Sequence, residues 1–139
     1  MGKNIIITGG LGYIGTELCK IYSGISWNNN ILVIDNRFIS ERVNQLRNWN
    51  INFIHGDILD KNLVNKYCKE ADIVHHLAGI TDVPRIKSES SDDKDEKIKL
   101  IAEEGTQNIL DAIGDKCKII FPSTHVVYEG IEKIKNNIL

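Results

Sequence analysis

The stretch IIITGGLGYIG, Ile5 to Gly15, sets a run of β-branched residues directly against a cluster of glycines. Twenty residues after its last glycine comes a single acid, Asp35, in ILVIDNR. An apolar run broken by glycine reads as a buried strand entering a turn. Beyond the turn, Ile14, Leu18, Ile21 and Tyr22 recur at helical spacing. A glycine-rich turn between strand and helix is the context that a G-x-G-x-x-G dinucleotide fingerprint requires. With Gly10, Gly12 and Gly15 in its places, Gly10 is expected to make the tight turn. Gly12 would let backbone approach a pyrophosphate, and Gly15 would bring helix against strand.

The rest of the chain extends that unit. Apolar runs recur at 31 to 35, 51 to 55, 72 to 77 and 118 to 121 without polar alternation, as suits strands buried on both faces. Helical stripes lie between them: Ile39, Val43 and Leu46, then Leu59, Leu63 and Tyr67. A long helix is predicted from near Asp93 to near Gly114, with Ile98, Ile101, Gly105, Ile109, Ala112 and Ile113 on one face. KSESSDDKDEK, 87 to 97, has the composition of a mobile surface loop running into it. The expected fold class is α/β: a doubly wound parallel sheet of Rossmann type, of five or so strands in the order 3-2-1-4-5, with helices on both faces.

Composition excludes several alternatives. At 139 residues the chain has room for one core, and 17 basic against 19 acidic residues leave no electrostatic footprint for nucleic acid or an anionic membrane. No apolar run reaches membrane-spanning length, and the N-terminus enters a strand pattern at once, so the expected location is cytoplasmic. Cys19, Cys68 and Cys117 are odd in number, without C-x-x-C spacing, and read as core thiols. His75 and His76 read as packing residues rather than metal ligands.

At the end of the second strand, Asp35 can accept from both hydroxyls of an adenosine ribose and would repel a 2′-phosphate, which favours NAD over NADP. Arg37 beside it keeps NADP as the lesser option. Asp57, after the third strand, could accept from the adenine amino group or cap the next helix. Leu77, Ala78 and Gly79 end the fourth strand with residues that would let a cofactor's sugars pass close to backbone.

TGGLGYIG, DNR, GDILD, HLAG, EEGTQNILDA and FPSTHVVYEG, in that order, resemble the N-terminal half of the extended short-chain dehydrogenase/reductase family, especially its NAD-dependent nucleotide-sugar epimerases and dehydratases. The resemblance implies a tightly held NAD that transiently oxidises a nucleoside-diphosphate sugar bound with a second, C-terminal domain. It implies pyrophosphate contacts at Gly9, Gly12, Tyr13, Ile14 and Gly15, ribose contacts at Asp35 and Asn36, and adenine contacts at Asp57 and Ile58. Leu77, Ala78 and Gly79 would meet the middle of the cofactor, Thr124 would be the catalytic hydroxyl, and the long helix near 93–113 would serve a homodimer.

Four positions depart from that family's pattern. No YxxxK occurs in the sequence, and Tyr128 and Lys133 are five apart. Ala102 stands for an asparagine, Pro122 for a frequent serine and Glu129 for a glycine. The expectation is therefore one NAD-binding domain over 1–139, cut before the catalytic tyrosine and lysine and the substrate domain, and inactive alone. A stand-alone NAD-binding sensor is the alternative, and an enzyme completed by a partner chain a third.

Overall fold

The computed structural model describes residues 2–25, 28–80 and 91–123. Strands β1 (Asn4–Thr8), β2 (Asn30–Asp35), β3 (Asn52–His55), β4 (Ile73–His76) and β5 (Lys118–Ile120) pair in parallel in the order β3-β2-β1-β4-β5. Helices α1 (Tyr13–Ser23), α2 (Ser40–Asn48) and α3 (Lys61–Cys68) alternate with them. A longer helix follows β4, built of α4 (Ser91–Leu100), a π-helical turn over Ile101–Gly105, and α5 (Thr106–Ala112). Leu100, Gly105 and Thr106 all keep right-handed helical dihedrals, so the three pieces continue into one another.

Strand alternation sorts the apolar side chains into two layers. Ile5 and Ile7 of β1 pack with Leu11, Cys19, Val33, Val43 and Leu46 under α1 and α2. Ile6 packs on the other face with Ile34, Ile58, Val64, Cys68, Val74 and Ile109, under α3 and α5. Full burial of each of these isoleucines contributes about 1.5–3 kcal/mol. The sheet is thus doubly wound, with its central strands apolar on both faces. The edge strands depart from that rule: Asn52 and His55 of β3, and Lys118 and Ile120 of β5, are exposed.

Three boundaries differ from the sequence reading. The long helix is already formed at Ser91, so residues 91–97 of the stretch read as a loop are helical, and 87–90 lie outside the described residues. The helix stops at Ala112, because Ile113 turns extended at φ −79° and ψ 149°. Leu59 precedes α3, whose N-cap is Asp60; its carboxylate accepts from the N–H groups of Asn62 and Leu63, each at 3.0 Å.

Cys19 and Cys68 are buried and Cys117 half-buried, all as free thiols. Among the described residues no helix is long and apolar enough to cross a membrane.

Candidate functional site

A cleft of about 650 Å³ opens at the carboxyl ends of β1, β2, β3 and β4. Helix-covered parallel sheets place such clefts where the strand order reverses, here between β1 and β4. The cleft is lined by Gly9, Gly12, Tyr13, Ile14 and Gly15 from the β1–α1 loop and the start of α1, and by Asp35 and Asn36 from the end of β2. Asp57 and Ile58 line it after β3, and Leu77, Ala78 and Gly79 after β4. Every cofactor-side candidate therefore meets in one place. Thr124, the catalytic candidate, lies outside the described residues, as do Tyr128, Glu129 and Lys133. A more open hollow of about 370 Å³, bordered by Lys69, Glu70, Asp72 and Cys117, contains none of the candidates.

The glycines divide their work differently from the sequence reading. Gly9, not Gly10, makes the tight turn: its φ is +70°, and a Cβ there would stand 2.7 Å from the Ala78 nitrogen. Only glycine combines that backbone with that approach. At Gly10 a Cβ would meet Val33 Cγ1 at 2.5 Å, so this glycine seats the loop on β2. Gly15 brings α1 against the glycine loop rather than against the strand, so close that a Cβ would be 2.5 Å from Gly10 Cα. Gly12 is the N-cap of α1 and supplies no side-chain cap, which leaves the first-turn amides turned to the cleft without a protein side chain to cap them.

On the β2 side, Asp35 is 5% exposed. Its Oδ2 accepts from Leu11 N–H at 2.9 Å, and its Oδ1 from Arg37 N–H at 2.9 Å and Arg37 Nε at 3.4 Å. Oδ2, with one donor, has capacity for a further one. The Arg37 side chain, 56% exposed, also lines the cleft. Asn36 Nδ2 donates to Asp57 Oδ2 at 3.1 Å, and Asp57 Oδ1 accepts from Leu59 N–H at 2.9 Å. Helix capping, the other role open to Asp57, belongs to Asp60.

Several contributors to the cleft were not singled out as site residues by the sequence reading. Asn108 Nδ2 of α5 donates to the Ile58 carbonyl at 3.0 Å. A Cβ at Gly105 would stand 2.4 Å from Ile58 Cδ1, so the π-helical turn seats Ile58 closely. The long helix thus carries a polar anchor at Asn108, although Ala102 offers none. Ile34, Gly56 and Ile101 line the cleft as apolar or glycine positions, which announce no chemistry by type. Arg42 is likewise invisible until α2 is folded against the loop.

His75 and His76 are buried and hydrogen-bonded rather than merely packed. His75 Nε2 lies 2.7 Å from the Tyr22 hydroxyl. His76 Nδ1 lies 2.7 Å from Thr8 Oγ1, and its Nε2 lies 3.0 Å from Thr106 Oγ1. Burial pushes the pKa of both rings below the usual histidine value. Among the described residues no group of histidines, cysteines or acids could hold a metal ion.

Residues 6–137 match the model of the 3-beta hydroxysteroid dehydrogenase/isomerase family. The chain is 34% identical to the UDP-N-acetyl-alpha-D-glucosaminuronate decarboxylase of Bacillus cytotoxicus, over 92% of this chain and 38% of that protein. It is 33% identical to the CDP-paratose 2-epimerase of Salmonella typhi, over 96% of this chain and 40% of that one. The crystal structure of UDP-glucose 4-epimerase from Brucella ovis in complex with NAD is similar at a TM-score of 0.70 and 27% identity, covering 92% of this chain and 38% of that one. The chain spans about two fifths of the length of the curated relatives it matches. With its Rossmann-type sheet, its glycine turn and these relatives, the chain belongs to the 3-beta hydroxysteroid dehydrogenase/isomerase family, within the extended short-chain dehydrogenase/reductases that include nucleotide-sugar epimerases and dehydratases.

Proposed function

We propose that the cleft holds NAD and that the chain is the cofactor-binding part of an oxidoreductase acting on a nucleoside-diphosphate sugar. The observation that carries this reading is Gly9: its positive φ, and the contact a Cβ would make with Ala78, shape a cradle that only bare backbone can form. NAD, when bound, supplies a reversible hydride acceptor. The residues present fit it. The uncapped N-terminus of α1, at Gly12 to Gly15, offers amides and the positive end of the helix dipole to a pyrophosphate. Asp35 accepts from the adenosine ribose hydroxyls and disfavours a 2′-phosphate, so NAD is preferred over NADP. Asn36, Asp57 and Ile58 border the adenine, and Leu77, Ala78 and Gly79 let the middle of the cofactor lie close to backbone.

Thr124 is proposed to bond the reacting sugar oxygen. The sequence holds no YxxxK, so the 139 residues alone should show no turnover. That same feature favours a second reading, a stand-alone NAD-binding sensor. An in-frame YxxxK downstream of codon 139 decides for the enzyme, and a stop codon followed by unrelated sequence decides against it. The likeness to the extended short-chain dehydrogenase/reductases supports a homodimer through the long helix near 93–113 in the assembled protein.

Calorimetric titration of the chain with NAD and with NADP tests the cofactor reading. Tighter binding of NADP would overturn the role given to Asp35, and binding of neither would overturn the function. Turnover of any nucleotide sugar in a panel by the 139-residue chain would refute its inactivity.

A further inference from the structure

We infer that Arg42 is a positioning residue for the pyrophosphate loop, acting from α2 through Leu11 and Tyr13; the inference rests on the dinucleotide reading of the cleft. Leu11 sits at the tip of the loop with its side chain fully buried. Its N–H is taken by Asp35 Oδ2 at 2.9 Å, and its carbonyl oxygen accepts from Arg42 Nη1. The two backbone groups of one loop residue are thus held by opposite charges from two different elements, the end of β2 and the first turn of α2. The Arg42 guanidinium also lies over the Tyr13 ring, 5.0 Å from its centroid, and Tyr13 is 85% exposed at the cleft.

The position of Arg42 in α2 is the second sign. A cation in the first turn meets the positive end of the helix dipole and weakens the helix. α2 also lacks a side-chain N-cap, since Ile39 precedes it. Arg42 therefore does nothing for its own helix, and its contacts are directed to the loop. By drawing the Leu11 carbonyl toward α2, it keeps that oxygen's negative end off the cleft, and the amides that follow face an incoming diphosphate. A charged donor makes this bond stronger than a neutral one would.

The test compares the native chain with Arg42→Met, which keeps the apolar stem, and Arg42→Lys, which keeps the charge. Amide hydrogen exchange at Leu11 is followed without nucleotide, and affinities for ADP and for adenosine are measured by calorimetry. Arg42→Met should speed Leu11 exchange and weaken ADP about tenfold while changing adenosine less than twofold, with Arg42→Lys between it and the native chain. Unchanged exchange at Leu11, or equal weakening of ADP and adenosine, would overturn the inference. If the native chain binds neither ligand, the dinucleotide reading falls, and the exchange rates alone then decide the loop contact. If Arg42→Met fails to fold, the same two comparisons on Arg42→Lys decide.

Discussion

Thr8 and His76 share a hydrogen bond of 2.7 Å between the neighbouring strands β1 and β4. Thr8 Oγ1 also accepts from Ala78 N–H at 3.3 Å, which holds the hydroxyl against the ring. On the other side of the ring, His76 Nε2 lies 3.0 Å from Thr106 Oγ1. Burial favours the neutral form of the ring, which ties the sheet to the long helix.

Acid should loosen this network. Burial lowers the folded-state pKa of both His75 and His76, so below the unfolded value of about 6.5 the unfolded chain binds more protons than the native one. Their contribution to stability is complete above about pH 6.5 and is lost as the pH falls toward the depressed folded values. The slope is bounded at about 1.4 kcal/mol per pH unit for each ring. Urea denaturation at pH 8, 6 and 5 should show the loss, and His76→Gln should make it shallower. A native curve that is flat over this range would contradict the buried neutral ring.

The two adjacent glycines should fail in different ways. Gly9→Ala combines a positive φ with backbone at 2.7 Å, a combination that no neighbouring truncation relieves, and should cost roughly 1–3 kcal/mol of stability along with nucleotide binding. Gly10→Ala meets only the end of Val33, at 2.5 Å, and should cost about 1–3 kcal/mol by overpacking. Adding Val33→Ala should recover part of the loss at Gly10 and none at Gly9. Thermal melts of the two double variants separate the cases.

Asp35 serves both the loop and the proposed ribose. Asp35→Ala leaves the buried Leu11 N–H without its acceptor and should weaken NAD by about 1–3 kcal/mol while also lowering the melting temperature of the free chain. Asp35→Asn keeps an acceptor for Leu11 and removes the charge. It should restore much of the melting temperature, leave NAD weakened and shift preference toward NADP, with Arg37 alongside. Calorimetry with both nucleotides, beside a melt without either, distinguishes the two roles.

Thiol reactivity should follow burial. Desolvation pushes Cys19 and Cys68 up to about 12, and Cys117 is raised by the same cause with the Asp72 charge adding to it. At pH 8 a disulfide reagent should therefore react slowly with the native chain, and fastest at half-buried Cys117, then promptly with all three thiols after denaturation. Rapid native reaction at Cys19 would show that α1 opens from the sheet.

The sheet and its strand order were legible because β-branched runs, glycine turns and helical stripes are local patterns, and a parallel α/β chain admits few right-handed ways to join them. The candidate residues around the cleft were legible for the same reason: Gly9, Asp35, Asp57 and Ala78 sit at strand ends, and parallel strands bring their carboxyl ends together. Tertiary structure alone decided which glycine bears the strained turn, because Gly9 and Gly10 are identical in type and differ in backbone φ and in facing Ala78 or Val33. It also decided the partners of Arg42, Asn108 and His76, which lie 31, 50 and 68 residues away in the chain at Leu11, Ile58 and Thr8. Sequence spacing states which residues share an element; only the packing of elements brings a charge on one helix to a carbonyl on another's loop.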